Sequence, residues 1–101
     1  MAEEKVRSWI PKFQEELKLE PGIARGFASV YERLLQSDRK NIEPNDLSYP
    51  AAIAYVSNLV VKSKKSQKEI AAVTKCSAQN VSNKYREIVV RNRKIIIELS
   101  S

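Results

Sequence analysis

Between Ser48 and Val61 the chain reads SYPAAIAYVSNLVV, and from Ala51 onward it is apolar on nearly every side of a helix. A surface helix keeps a polar face, so a segment that is apolar all round is stable only when other elements enclose it. Ser48 and Pro50 supply a cap and a first-turn proline, where a missing amide does no harm. The run therefore predicts a bundle built around one central helix. At 101 residues the chain is large enough for a single core and small enough that its helices must share it. Gly 2 and Pro 4 leave little room for a turn-rich β architecture. The expected fold is one all-α domain over residues 1–101.

Ahead of the central run, Val6, Trp9, Ile10, Phe13 and Leu17 fall three and four apart, a helical stripe. If Ser8 caps it, Pro11 lies in the first turn, and the first helix is expected over Ser8 to Leu17. Pro21 opens a second helix with Ile23, Phe27, Val30 and Leu34 on its buried face and Glu32, Arg33 and Gln36 outside. Ser37 to Leu47 is turn-rich, with its corner at Pro44 and Asn45. Beyond Ile88, the run Ile95, Ile96 and Ile97 favours an extended chain by propensity, while Ile88, Asn92, Ile95 and Leu99 keep helical spacing. The sequence leaves both open, and residues 90–101 are treated as a C-terminal tail.

The stretch from Lys62 to Ile88, KSKKSQKEIAAVTKCSAQNVSNKYREI, predicts a helix-turn-helix. Ser66 and Glu69 stand three apart, the spacing at which each side chain satisfies the other's free backbone amide, so a helix starts at Ser66. It is short, because Thr74 to Ser77 are weak helix formers, and Ser77 is itself a good N-cap for the next helix. There Val81, Tyr85 and Ile88 face inward, while Gln79, Asn80, Ser82, Asn83 and Arg86 fall on the open side. Lys75 takes the turn position that glycine often fills for its positive φ, and Cys76 is expected to plug the turn as a small apolar residue.

Polar outer faces are the default for any soluble helix, and many helix pairs never touch nucleic acid. The charge argues further. Residues 1–50 hold 8 basic and 9 acidic side chains, a balance of −1, whereas residues 51–101 hold 10 and 3, a balance of +7. Lys62, Lys64, Lys65 and Lys68 gather at the first helix's N-terminus, where the helix dipole already attracts anions and a purely structural design would place acids. An acidic partner is expected on this half, nucleic acid rather than membrane, since no apolar anchor accompanies the charge. The phosphate contacts are assigned to Lys62, Lys64, Lys65, Ser66, Gln67, Lys68 and Lys75. Base reading falls to Ala78, Gln79, Asn80, Ser82, Asn83 and Arg86, because amides pair with adenine and guanidinium with guanine through two hydrogen bonds each.

His 0 and Cys 1 exclude an intramolecular disulfide, a structural zinc site and a His-dependent catalytic centre. Glu15 and Glu16 point in different directions on a helix and face no second acidic cluster, so they read as a solvated face. No enzyme activity and no cofactor are expected. No run reaches the roughly twenty apolar residues of a membrane helix, and Glu3, Glu4, Glu15 and Glu16 do not suit a secretory signal. An intracellular monomer that does not engage membranes is expected.

Five helices, the third wholly buried and the fourth and fifth forming a helix-turn-helix, resemble a cyclin-like repeat. PAAIAYVSNLV followed by SQKEIAAVTKCSAQNVSNKYREI resembles the second cyclin repeat of transcription initiation factor IIB and its archaeal counterpart, transcription factor B. That family shows a Pro-led alanine-rich helix, a Thr-Gln-x-Glu-Ile-Ala run and a recognition helix ending Arg-Tyr-Lys-Glu-Leu. Ser66, Gln67, Glu69, Ile70 and Ala71 fill the middle motif, and Asn83, Lys84, Tyr85, Arg86, Glu87 and Ile88 the last. WIPKFQEELKL resembles the family's first repeat helix, so the likeness spans residues 6 to 89.

The resemblance implies promoter DNA binding upstream of the TATA box, with TATA-binding protein and RNA polymerase as partners. The setting would be cytoplasmic in an archaeon and nuclear in a eukaryote. Asn80, Val81, Ser82 and Asn83 stand where the family has Thr-Ile-Arg-Asn, so the arginine that usually reads a base is replaced by Ser82. The zinc ribbon, linker and first repeat of the family do not occur in this sequence, which therefore corresponds to a C-terminal domain or a reduced paralogue. The competing expectation is a protein-interaction cyclin box with a vestigial helix-turn-helix, acting through TATA-binding protein or polymerase.

Overall fold

The computed structural model of the protein describes residues 2–101. Its elements run α1 (Ala2–Arg7), α2 (Trp9–Glu16), α3 (Pro21–Ser37), a 3₁₀ turn (Arg39–Asn41), α4 (Ser48–Val60), α5 (Gln67–Val73), α6 (Ala78–Arg91) and α7 (Arg93–Ser100). No strand occurs among the described residues. Among the described residues, no helix is long and apolar enough to cross a membrane.

The central run behaves as its composition demands. Every α4 residue from Ser48 to Ala54 is buried, as are Val56, Ser57 and Asn58, and each of the other helices packs against α4. Tyr31, Phe27, Leu34 and Leu35 of α3, Phe13 of α2, Ile70 of α5 and Val81 and Ile88 of α6 complete the core around it. Small residues let backbones approach: a Cβ on Gly26 would lie 3.3 Å from Val61 Cγ1, where α3 passes the end of α4. The start of α4 differs from expectation. Ser48 is not its cap; Asp46 Oδ1 accepts from the Ser48 amide at 2.9 Å and from its hydroxyl at 2.6 Å, tying down the first turn from outside. The turn itself falls at Pro44 and Asn45, as predicted.

Where five helices are expected, the described residues form seven, for two local reasons. The helix expected over Ser8 to Leu17 is α2, with Pro11 in its first turn, and a further helix, α1, runs up to Ser8 ahead of it. Pro11 offers no amide to the carbonyl of Arg7 four residues back, and its ring crowds that oxygen, so the chain kinks there. Ser8 stays in helical conformation with φ −62 and ψ −13, and its hydroxyl donates to the Lys5 carbonyl instead of capping α2. The buried Tyr31 hydroxyl donates to the Val6 carbonyl at 2.7 Å, holding the kink against α3. Beside it, Arg7 forms a two-pronged pair with Glu32 at 2.7 and 2.6 Å, so Glu32 is half-buried in an ion pair rather than outside.

The second extra helix is α7, which replaces the expected tail at residues 90–101. α6 continues to Arg91, Asn92 breaks it with φ −122 and ψ 25, and α7 folds back on α3 and α4. Ile95, Ile96 and Leu99 pack against the core, so helical spacing overrode the β propensity of the isoleucines.

A polar cluster pins this corner. Asp38, 1 % exposed at the end of α3, accepts from the Tyr49 hydroxyl of α4 at 2.6 Å, from the Asn92 side-chain amide at 3.0 Å and from Arg91 of α6 at 2.8 and 2.9 Å. Four groups on three helices thereby fix how α6 leaves the bundle. A carboxylate so buried is tolerated only when its oxygens are bonded and its charge is matched, and both conditions hold here.

Candidate nucleic-acid interface

α5 starts with both halves of the reciprocal cap in place. Ser66 Oγ accepts from the Glu69 amide at 3.1 Å, and the Ser66 amide donates to Glu69 Oε2 at 2.7 Å. The helix ends in a Schellman turn, with the Lys75 amide bonded to the Ala72 carbonyl and the Cys76 amide to Ala71. Lys75 holds φ 59 between them, the left-handed geometry expected at that turn. Cys76 is half-buried against the core. Ser77 then caps α6, its Oγ accepting from the Asn80 amide at 3.1 Å.

Val81 and Ile88 are fully buried and anchor α6 on α4. Tyr85 is only half-buried, meeting Tyr55 of α4 edge-on with ring centroids 5.0 Å apart. The opposite face is open. Gln79, Asn80, Asn83 and Arg86 are exposed, whereas Ala78 and Ser82 are half-buried at its margin. Gln79 Nε2 donates to Asn83 Oδ1 at 3.1 Å, which aligns the two amides across one helical turn. Arg86 has no carboxylate partner within 4.0 Å, so its guanidinium is free for an acceptor.

One α6 cation that the sequence reading passed over is already committed. Lys84, its side chain 13 % exposed, reaches Glu43 at 2.6 Å, Glu87 at 3.5 Å and Asp46 at 3.8 Å. Burial pushes its pKa down, but the Glu43 hydrogen bond and the three carboxylate charges outweigh that and raise it. Lys84 is a clamp between α6 and the turn before α4. Its main partner lies 41 positions away, beyond any local spacing signal.

The lysines of the helix-turn-helix behave oppositely. Among the described residues, Lys62, Lys64, Lys65, Lys68 and Lys75 have no carboxylate within 4.0 Å, a state they share with Lys5, Lys18, Arg25, Arg33, Lys40, Arg86, Arg93 and Lys94, while Arg7, Lys12, Arg39, Lys84 and Arg91 each have one. Lys62, Lys64, Lys68, Lys75 and Ser66 are exposed; Lys65 and Gln67 are half-buried. The structure does not spread the lysines evenly along one strip. Lys62, Lys64 and Lys65 line a cleft of about 370 Å³ together with Lys18 and Ile23 from the α2–α3 corner, and Lys68 and Lys75 lie outside it. Lys18 also escaped the sequence reading, since nothing local shows that the end of α2 lies beside the α4–α5 loop.

No protein-family model matches the chain, and comparison with curated proteins and with solved structures gave no match either.

Proposed function

We propose that the protein is the promoter-binding module of a basal initiation factor of the IIB type, docking upstream of the TATA box alongside TATA-binding protein. Support comes first from the resemblance in SQKEIAAVTKCSAQNVSNKYREI and then from one structural observation. The open face of α6 carries two aligned amides and an uncommitted guanidinium, next to lysines with no intramolecular partner. Amides and guanidinium groups are what base edges in a major groove accept, and unpaired ammonium groups are what phosphates require. In this reading α6 enters the groove, Gln79, Asn83 and Arg86 face base edges, and Ser66, Gln67 and the lysines face the backbone.

The reading is tested by the affinity for a TATA-flanking duplex and for a scrambled one, at one salt concentration, of the wild type and of Asn83→Ala and Arg86→Ala. It expects both variants to lose discrimination between the two duplexes. Equal loss on both would confine α6 to backbone contacts.

A second reading, a protein-interaction cyclin box, draws on the exposed apolar side chains Val90 (65 %), one turn beyond Arg86 on the same face of α6, and Ile97 (67 %) on α7. RNA polymerase or TATA-binding protein would cover them. The two readings are compatible if α6 meets DNA with its first two turns and a protein with its last.

A further inference from the structure

Among the described residues, three have positive φ without being glycine, and all are lysines: Lys18 (φ 52), Lys62 (φ 60) and Lys75 (φ 59). Each follows a helix in the same Schellman geometry. The Lys18 amide bonds to the Glu15 carbonyl and Leu19 to Gln14; the Lys62 amide bonds to Leu59 and Ser63 to Asn58. Glycine is the cheap residue at such a position, because an L side chain crowds its own carbonyl there. Strain retained in a structure collects where function needs the side chain.

Lys18 and Lys62 come from helices far apart in sequence, yet both line the cleft that also holds Lys64 and Lys65. None of the four has a carboxylate within 4.0 Å. Glu20 and Glu69 share the wall, and the Glu69 carboxylate is occupied by the Ser66 amide, so cations dominate. The loop is held rather than loose. Buried Asn58 donates through Nδ2 to the Lys65 carbonyl at 2.9 Å, and the Asn58 backbone carbonyl accepts from the Ser63 amide at 3.0 Å.

We infer that this cleft is a backbone-phosphate site for duplex DNA, with Lys18 and Lys62 as its two walls, so that the DNA contact runs past the helix-turn-helix onto the α2–α3 corner. The inference rests on the DNA-binding reading above. It adds a residue, Lys18, that the helix-turn-helix pattern does not contain.

The left-handed backbone makes an unusually clean test. Lys18→Gly and Lys62→Gly each remove an ammonium while relieving the φ strain, so lost binding cannot be blamed on lost folding. Thermal melting of both variants should be unchanged or higher than that of the wild type. The slope of log affinity against log salt for a TATA-flanking duplex should flatten by about 0.9 for each. Arg33→Gln, an exposed charge removed from α3, should leave the slope as it is. A wild-type slope in Lys18→Gly, alongside a flattened one in Lys68→Ala, would overturn the cleft while leaving the helix-turn-helix reading intact. No wild-type affinity for any duplex would overturn both, as would Lys18-dependent binding to anionic vesicles in preference to duplex.

Discussion

Asp38 and Arg91 are 53 positions apart in the chain, and the guanidinium of one holds the carboxylate of the other through two hydrogen bonds, at 2.8 and 2.9 Å. The pair joins the end of α3 to the end of α6, so the pose of the proposed recognition helix is set by a contact far from its exposed face. Burial pushes the Asp38 carboxyl up, but hydrogen bonds from Arg91, Tyr49 and Asn92 outweigh it and hold the group below the usual carboxylate range. A folded pKa below the unfolded value of about 4 means the folded state binds fewer protons. This stabilisation is complete above the unfolded pKa and disappears as pH falls through the folded one. Glu32 and Asp46 are shifted in the same direction. Urea midpoints should therefore drop below about pH 4, and Asp38→Asn should drop less steeply. At neutral pH the same variant should lose about 3 kcal/mol, because the buried pair is broken and Arg91 keeps only its longer contact to Glu87, at 3.8 Å. Parallel pH profiles for the two proteins would remove Asp38 from the account.

What could be read from sequence and what could not divides along chain distance. The reciprocal cap at Ser66 and Glu69, the cap at Ser77 and the left-handed turn at Lys75 are each written within a few residues, and each stands as expected; the central run expected to be enclosed from Ala51 to Val61 is so through Asn58, but Leu59 at its end is 45 % exposed. α2 stands where the helix over Ser8 to Leu17 is expected, with Pro11 in its first turn; α1, the separate helix over Ala2–Arg7, has no such local signal. α7 was undecided because the propensity of Ile95 to Ile97 opposed their periodicity, and only the surface of α3 and α4 resolves that conflict. The Lys84 clamp and the position of Lys18 beside the loop depend on tertiary pairing and have no local signature.

Tyr85 contributes to stability through its ring rather than its hydroxyl. Because it is half-buried and stacks edge-on against Tyr55, Tyr85→Ala should cost about 2–3 kcal/mol, at the low end for aromatic truncation. No protein group bonds its hydroxyl, so Tyr85→Phe should be near neutral. Chemical denaturation of both variants measures this, and a large loss in the phenylalanine variant would contradict it.

Lys75→Gly should stabilise the fold by about 0.5–1 kcal/mol, the relief of left-handed strain exceeding the added freedom of glycine in the unfolded chain. Lys75→Val should destabilise it, since a branched Cβ is worst at positive φ. The urea midpoints of the two variants should move in opposite directions. Movement of both downward would mean that the turn is set by the lysine side chain itself.

Ser82 lies at the edge of the open α6 face, half-buried, where the resembled family carries an arginine. A hydroxyl pairs with several bases and discriminates poorly. Ser82→Arg should strengthen binding to duplexes with guanine at the matching position by about 1–3 kcal/mol over those without it, at one fixed salt concentration. Equal gains on every duplex would place residue 82 against backbone.

In the proposed complex α6 meets base edges while the α5 approach and the Lys18 cleft meet phosphate. An amide chemical-shift titration with TATA-flanking duplex, with and without TATA-binding protein, tests it most directly. The account predicts that Gln79, Asn80, Asn83 and Arg86 shift with the TATA-flanking duplex and much less with a scrambled one, while Lys18, Lys62, Lys64, Lys65 and Ser66 shift with both. Shifts confined to residues 90–101, with Gln79, Asn80, Asn83 and Arg86 unmoved, and seen only with TATA-binding protein present, would contradict it and favour a protein-docking domain.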